Sequence, residues 1–248
     1  MSPDLELALR LADAADALSL PRFRSGLKVE TKADLTPVTE ADRLVESELR
    51  RMLAEARPDD AVLGEEEGVI GAGTRRWIVD PIDGTRNYSR AIPVWATLIA
   101  LEEDGVVCVG VVSAPALRGR WWAERGSGAF GNGEPIRVSG VATVEEAVLS
   151  FSIENEIPAL ARRAWHSRGL GDFWAHMLVA EGAVDGAVDA VGVGEWDLAA
   201  VQVIVEEAGG RFSDFAGDPR IDGGSGVSSN GLLHDELLSA IQGQTAPI

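Results

Sequence analysis

Trp77-Ile78-Val79-Asp80-Pro81-Ile82-Asp83-Gly84-Thr85-Arg86-Asn87-Tyr88 is the stretch on which the reading of this chain turns. Its three leading residues read as a short apolar strand, after which carboxylates stand at Asp80 and Asp83. Pro81 fixes its own backbone angle and Gly84 permits a sharp bend. The intervening turn is therefore able to aim both carboxylates, and the Ile82 carbonyl, at one point. Magnesium is a hard cation that takes oxygen ligands in an octahedron. Two such ions about 4 Å apart hold a phosphate, polarise it and generate hydroxide from bound water. Taken alone, Asp80 to Thr85 is also ordinary turn chemistry, since proline followed soon by Asp-Gly is common in β-turns, and that is the commoner meaning of such a hexapeptide.

Working outward, Ser2-Pro3 reads as an N-cap with proline at the first helical position, and Leu5, Leu9, Ala12, Ala15 and Leu18 follow helical spacing. Residues 21–38 lose the periodicity. A second helix is expected from Glu40 to Ala56, with Leu44, Val45, Leu49, Met52 and Leu53 on one face and Arg57-Pro58 as its stop. Ala61 to Leu63 and Trp77 to Val79 read as strands, each running into acidic residues. Ala96 to Leu101 and Val106 to Val112 flank a hairpin signal at Glu102-Glu103-Asp104-Gly105. Arg120 to Ala123 and Ile136 to Val138 are expected as short strands on either side of the glycine-rich Gly126 to Gly133.

Beyond residue 140 strands and helices alternate. Strands are expected at Ala147 to Phe151, Val184 to Asp189, and near Phe212 and Val227. Helices are expected at Phe173 to Glu181, Trp196 to Ala208 (closed by Gly209-Gly210) and Leu233 to Ile241. The pattern predicts an α+β half over residues 1–139 and an α/β half over residues 140–248, sharing one core and packed as stacked layers.

The 248 residues are 46% apolar and 25% charged, enough for a sizeable core. No stretch approaches the roughly 18 apolar residues of a membrane helix, and Asp4, Glu6 and Asp13 do not suit a secretory signal. The single cysteine, Cys108, fits a reducing compartment, with the cytoplasm as the expectation. A formal charge of −18, from 40 acidic and 22 basic residues, should repel nucleic acid and anionic membranes. It also requires that an anionic substrate be met by bound cations or carry a positive end.

Further acidic positions stand at the ends of expected elements, where ligands converge above a rigid scaffold. Glu65 follows a strand, although Glu65-Glu66-Glu67 also reads as a solvated charge run. Asp197 opens a helix and is equally suited to cap it. Thr39-x-x-Asp42 matches a capping box, and Thr85 is itself a candidate N-cap. Each bland reading is sound by itself; their joint occurrence in this order is what points to a site.

The sequence resembles the inositol monophosphatase family of magnesium-dependent phosphatases. The resemblance rests on Pro37-Val38-Thr39-Glu40-Ala41-Asp42, Gly64-Glu65-Glu66, the opening stretch Trp77 to Tyr88, and Glu195-Trp196-Asp197-Leu198-Ala199-Ala200 running into Glu207-Ala208-Gly209-Gly210. It implies a layered αβαβα sandwich shared with fructose-1,6-bisphosphatase. It implies that Glu65, Asp80 and the Ile82 carbonyl hold one Mg2+, and that Asp80, Asp83 and Asp197 hold a second. Glu65 would reach a third through water. Thr85 and Asp42 would orient the attacking water and accept its proton, as a hydroxyl bonded to a carboxylate is able to do. The backbone N–H groups of Gly84 and Thr85 would cradle phosphate. No Cys or His beside the motif suggests a phosphoenzyme.

Within the family the chain is most similar to the branch acting on L-histidinol phosphate. The segments concerned are Pro93 to Leu101, Ser113-Ala114-Pro115-Ala116 with Arg120-Trp121-Trp122, Arg168-x-x-Gly171-Asp172-Phe173 and Leu178 to Asp185. The resemblance places Asp172 at a substrate contact, where a carboxylate suits an ammonium or imidazole group; the bland alternative is a helix cap. Arg168 and Asp189 join it as candidate substrate residues. The family often has a glutamate at the position of Ala190, for which Asp189 or Glu195 would substitute, and the segment Phe151 to Ser167 is shorter than usual. Trp95, Trp121 and Trp122 read as core or dimer contacts, and a homodimer is implied. The alternatives are another small phosphate ester (inositol phosphate, fructose 1,6-bisphosphate or a 3′-phosphonucleotide), for which few basic residues beyond Arg86 and Arg168 are at hand, or a non-catalytic metal- or phosphate-binding protein.

Overall fold

Ser2 and Thr39 start the two helices that cover one side of the molecule. In a computed structural model, which describes residues 1–25, 29–31, 37–152, 157–190 and 193–245, Ser2 accepts the Leu5 N–H at the head of α1 (Pro3–Ser19). Helix α2 (Glu40–Ala56) opens with a capping box between Thr39 and Asp42 and ends at Arg57, as its sequence predicts. The two helices bury Leu7, Leu11, Val45, Leu49 and Leu53 against Trp77, Ile99 and Val111. Each such aliphatic side chain contributes about 1.5–3 kcal/mol.

Those last three residues belong to the first sheet. Its strands are β3 (Ala61–Gly64), β4 (Gly68–Ile70), β5 (Arg75–Asp83), β6 (Ala96–Glu103), β7 (Val106–Ala114), β8 (Gly119–Glu124), β9 (Ala129–Gly131) and β10 (Glu134–Pro135). They lie in the order β10-β9-β8-β7-β6-β5-β3-β4, with β3 and β5 parallel. The sheet's other face packs on α5 (Asp172–Ala180) and α6 (Glu195–Glu207), in a core that joins Leu98, Val112 and Ala123 to Ala187 and Phe212.

Ala187 and Phe212 belong to the second sheet, ordered β12-β11-β13-β15-β14. These strands are β11 (Val148–Phe151), β12 (His166–Arg168), β13 (Gly186–Ala190), β14 (Arg211–Ser213) and β15 (Ser225–Ser229). Strand β11 runs parallel to both β12 and β13. Helices α4 (Pro158–Arg163) and α7 (His234–Thr245) close the far side over Leu149, Val188 and Val227. Helix pair, sheet, helix pair, sheet, helix pair is the five-layered αβαβα sandwich expected. A short helix, α3 (Thr85–Ser89), is anchored by the Tyr88 hydroxyl, which donates to Ser19 O at 2.8 Å. Trp95 is buried edge-on against Tyr88, with centroids 4.8 Å apart, and the buried Trp121 donates from its indole to Glu181 at 2.6 Å.

Some local expectations are corrected. Ile136 to Val138 is not a strand: the Val138 N–H donates to Ala208 O at the end of α6, so the segment crosses to a helix terminus instead. Strand β9 lies inside the glycine-rich stretch, where Glu207 accepts the N–H groups of Gly126 and Gly128. The aperiodic 21–38 region holds β1 (Val29–Thr31) and β2 (Pro37–Thr39), an antiparallel pair. The short segment after Phe151 keeps the six-residue α4, with 153–156 outside the described residues.

Candidate active site

Asp80 and Asp83 are three residues apart on β5, and strict alternation of side chains would set them on opposite faces of the sheet. The pairing with β6 prevents this. Asp80 lies opposite Leu98 and Asp83 opposite Ala96, so β5 carries one residue more than its neighbour between those points. That bulge restores Asp83 to the side of Asp80 and accommodates Pro81, which has no N–H to give to the sheet. The buried Thr97 hydroxyl donates to Pro81 O at 2.8 Å, and the Ile82 N–H donates to Asp80 Oδ1 at 2.9 Å. Gly84, with φ of 79°, then turns the chain into α3. A side chain there would press on Val94 O, 3.0 Å from its Cβ position, and on Asp172 Oδ2, 3.3 Å from it.

Asp197 reaches the same point from the first turn of α6, where its Oδ2 accepts the Gly194 N–H at 2.6 Å. One oxygen from each of Asp80, Asp83 and Asp197 lies within 4.8 Å of the others. Burial, then the charges of Glu65, Asp83 and Asp197, pushes the Asp80 carboxyl well above the usual carboxylate range. Burial and the charges of Asp172 and Asp197 do the same to Asp83. Asp197 is raised to about 7, by burial first and then by Glu65 and Asp189. Glu65 itself lies on the hairpin turn between β3 and β4. Buried like charges at this spacing need either protons or a cation. A donor set made wholly of oxygen suits a hard divalent ion, so these residues fit the metal that the family resemblance implies.

Asp42 and Thr85 meet beside the cluster. Asp42 Oδ2 accepts the Thr39 N–H at 2.8 Å and the Thr39 hydroxyl at 2.5 Å, while Asp42 Oδ1 lies 3.2 Å from Thr85 Oγ1. Thr85 Oγ1 is also 2.9 Å from Ile82 O, so its one proton has two acceptors in reach. Burial pushes the Asp42 carboxyl upward, opposed by its bonds from Thr39. The N-cap of α3 is Gly84 and not Thr85, which occupies the first helical position.

On the other flank, Asp83 Oδ2 accepts the Phe173 N–H at 2.7 Å, tying the start of α5 to the bulge. Asp172 sits at that start with φ of 57°, a left-handed conformation costly for a residue with a side chain, and Gly171 is the N-cap. The half-buried Asp172 accepts from Asn87 Nδ2 at 3.2 Å. Its carboxyl is raised to about 6 by burial and by Asp189, against the pull of Arg86. Asp189 lies on β13, half-buried, and its charge reaches Asp83, Asp172 and Asp197. Glu195 is bound instead to Arg76, at 2.5 Å. Arg168 stands exposed on the edge strand β12, at the head of the loop to Asp172. Neither Asn87 nor Arg86 is marked as a neighbour of Asp172 by its own spacing, though both lie within Trp77 to Tyr88 and Arg86 is one of the few basic residues there. Their partner is 85 residues away from Asn87, and no local spacing signals such a meeting.

Similarity to known proteins agrees with this geometry. The chain is 52% identical to a histidinol-phosphatase of Mycobacterium tuberculosis, over 96% of this chain and 97% of that protein. It is 48% identical to a histidinol-phosphatase of Streptomyces coelicolor, over 95% of each. Its fold superposes on an IMPase of Thermotoga maritima with a TM-score of 0.89, at 35% identity and 98% coverage of both chains. The family model for inositol monophosphatases matches residues 1–246; the bulged carboxylate pair, the helix-borne Asp197 and the overall sandwich are thus those of a chain that belongs to the inositol monophosphatase family.

Proposed function

We propose that this protein hydrolyses L-histidinol phosphate to L-histidinol and phosphate, as a step of histidine biosynthesis, with two to three Mg2+ at the carboxylate cluster. The observation that carries the substrate is the pair of acidic residues, Asp172 and Asp189, set beside the cluster. A strained, half-buried carboxylate held by Asn87 is a poor neighbour for a second phosphate. It is a good one for an ammonium or imidazolium group. The relatives named histidinol-phosphatase support the same substrate.

Asp80, Asp83, Asp197, Glu65 and the Ile82 carbonyl would hold the metal. When bound, Mg2+ supplies Lewis acidity towards the phosphoryl oxygens and lowers the pKa of water. The remaining work falls to the chain. Thr85 Oγ1, with Asp42 Oδ1 behind it at 3.2 Å, would hold a water by its lone pair and pass the water's proton to Asp42. Burial makes Asp42 a better acceptor than an ordinary aspartate. Backbone N–H groups of Gly84 and Thr85 would take phosphate oxygens. Asp172, Asp189 and Arg168 would line the path of the organic part.

The proposal includes a homodimer in the cytoplasm. The family supports the dimer, and Cys108 as the single, free cysteine supports a reducing compartment; sedimentation of the purified protein tests the dimer. No helix among the described residues is long and apolar enough to cross a membrane. The deciding experiment is phosphate release from a panel of esters with and without Mg2+. Histidinol phosphate should give the highest kcat/KM, and magnesium should be essential. Faster hydrolysis of inositol phosphate or fructose 1,6-bisphosphate would overturn the substrate assignment.

A further inference from the structure

The turn that carries Glu65 is gripped from behind by α2. Glu46 on that helix is fully buried, and its carboxylate accepts the backbone N–H groups of Glu66 at 2.8 Å and Glu67 at 2.9 Å. Arg50, one helical turn on, donates from Nε to Glu46 at 2.9 Å and from Nη2 to Gly68 O at 2.5 Å. One ion pair thus holds the turn at the Glu66 and Glu67 N–H groups and at the Gly68 carbonyl that follows them. Gly64, which leads into the turn, leaves the space for it. A Cβ at Gly64 would overlap the Glu46 carboxylate and lie 2.8 Å from Arg50 Nη2.

A hairpin turn of three glutamates has no intrinsic need for a buried carboxylate, whose desolvation costs several kcal/mol unless fully compensated. The compensation here is specific: two backbone N–H groups and a guanidinium. Moreover, Asp42, Glu46 and Arg50 follow one another at intervals of four on α2 and so share a face. The first meets the Thr85 hydroxyl and the other two meet the Glu65 turn.

We propose that Glu46, charge-balanced by Arg50, is a positioning residue for the metal centre: it fixes the 65–67 turn so that Glu65 faces Asp80 and Asp197 before any ion arrives, and thereby sets ion affinity. The inference rests on Glu65 being a metal ligand. Groups outside the ligand shell that orient ligands typically change metal affinity 10- to 100-fold when replaced.

The test is an electron paramagnetic resonance titration of the full-length protein with Mn2+ alone, in the unaltered chain, Glu65→Gln and Glu46→Gln, with near-ultraviolet circular dichroism as the check on folding. Glu46→Gln keeps the side chain's length but turns one acceptor oxygen into a donor. Both variants should bind Mn2+ about 10- to 100-fold more weakly. At saturating metal, Glu46→Gln should keep its ester KM within about twofold, because it touches no substrate. If Glu65→Gln binds Mn2+ as tightly as the unaltered chain, the ligand reading of Glu65 fails and takes the proposal with it. If Glu65→Gln weakens binding and folded Glu46→Gln does not, the positioning role alone is overturned. Should Glu46→Gln not fold, hydrogen exchange on the unaltered, metal-free protein decides. The Glu66 and Glu67 amides should be protected there, and exchange at the rate of an open loop would refute a preassembled turn.

Discussion

At Asp83, Oδ2 accepts the Phe173 N–H at 2.7 Å while the carboxylate also stands within reach of Asp80 and Asp197. The first role needs only an acceptor oxygen; the second needs the charge. Asp83→Asn separates them, since the amide oxygen keeps the bond to Phe173 and the negative charge is lost. Turnover should fall to background. In EDTA the variant should unfold at a higher temperature than the unaltered protein, because one of three mutually repelling buried carboxylates is gone. The direction of the gain follows from the upward push that burial, Asp172 and Asp197 exert on the Asp83 carboxyl. The rise in Tm on adding Mg2+ should shrink at the same time. A metal-free Tm equal to or below that of the unaltered protein would show that the cluster is not under electrostatic strain. The same division of labour explains what could be read from sequence at this scale. Asp42 caps α2 with one oxygen and faces Thr85 with the other, and Asp197 accepts the Gly194 N–H while joining the cluster. Capping and chemistry were rival readings of these residues, and the two oxygens of a carboxylate allow both. Glu46 carried no such signal, because its partners lie 20 and 21 residues downstream.

Among the elements, α1 and α2 were legible to the residue at their starts because capping chemistry is local: Ser2-Pro3 and Thr39-x-x-Asp42 name their own positions. Strand β5 was legible only in part. Its apolar head, Trp77 to Val79, marks a buried strand, but the continuation through Pro81 to Asp83 depends on the bulge against β6, and a strand's partner is not written in its own sequence. Ile136 to Val138 differs from its strand expectation for the same reason, since the Val138 N–H is taken by Ala208 O at the end of α6. The bulge has a specific support that mutation is able to remove. Thr97, buried on β6, donates to Pro81 O at 2.8 Å, and Thr97→Val keeps the side chain's shape while leaving that carbonyl unsatisfied. The expected loss is about 1–3 kcal/mol of unfolding free energy, read from urea denaturation of the metal-free protein. If Thr97→Val is as stable as the unaltered chain, the bulge does not depend on this bond.

Over the whole molecule, the layers far from the carboxylate cluster hold a buried titrating group, His234, with the opposite pH response to those carboxylates. His234 opens α7 with both ring nitrogens engaged, Nε2 with the Ser213 hydroxyl at 2.8 Å and Nδ1 with the Ser229 hydroxyl at 2.9 Å. It thereby locks α7 to β14 and β15. Burial, followed by the charge of Arg211, pushes its pKa down to about 4, against about 6.5 in an unfolded chain. The unfolded state therefore takes up a proton as pH falls through about 6.5, while the folded state refuses one until about 4. Stability from this group is complete above pH 6.5, declines between those values and levels off below pH 4, by about 3–3.5 kcal/mol in all. The clustered carboxylates act in the other direction. Asp197, raised to about 7, is protonated earlier in the folded than in the unfolded state, so metal-free protein gains stability from it as pH falls from 7 towards 4. A single pH profile would mix the two, and the difference between the unaltered protein and His234→Gln isolates the histidine. In EDTA, the stability advantage of the unaltered protein over His234→Gln should fall by about 2–3 kcal/mol between pH 7 and pH 4. Urea midpoints at intervals across that range measure it. An advantage that stays constant with pH would mean that His234 is protonated in the folded state as readily as in the unfolded one, and that the two serine hydroxyls do not hold it neutral.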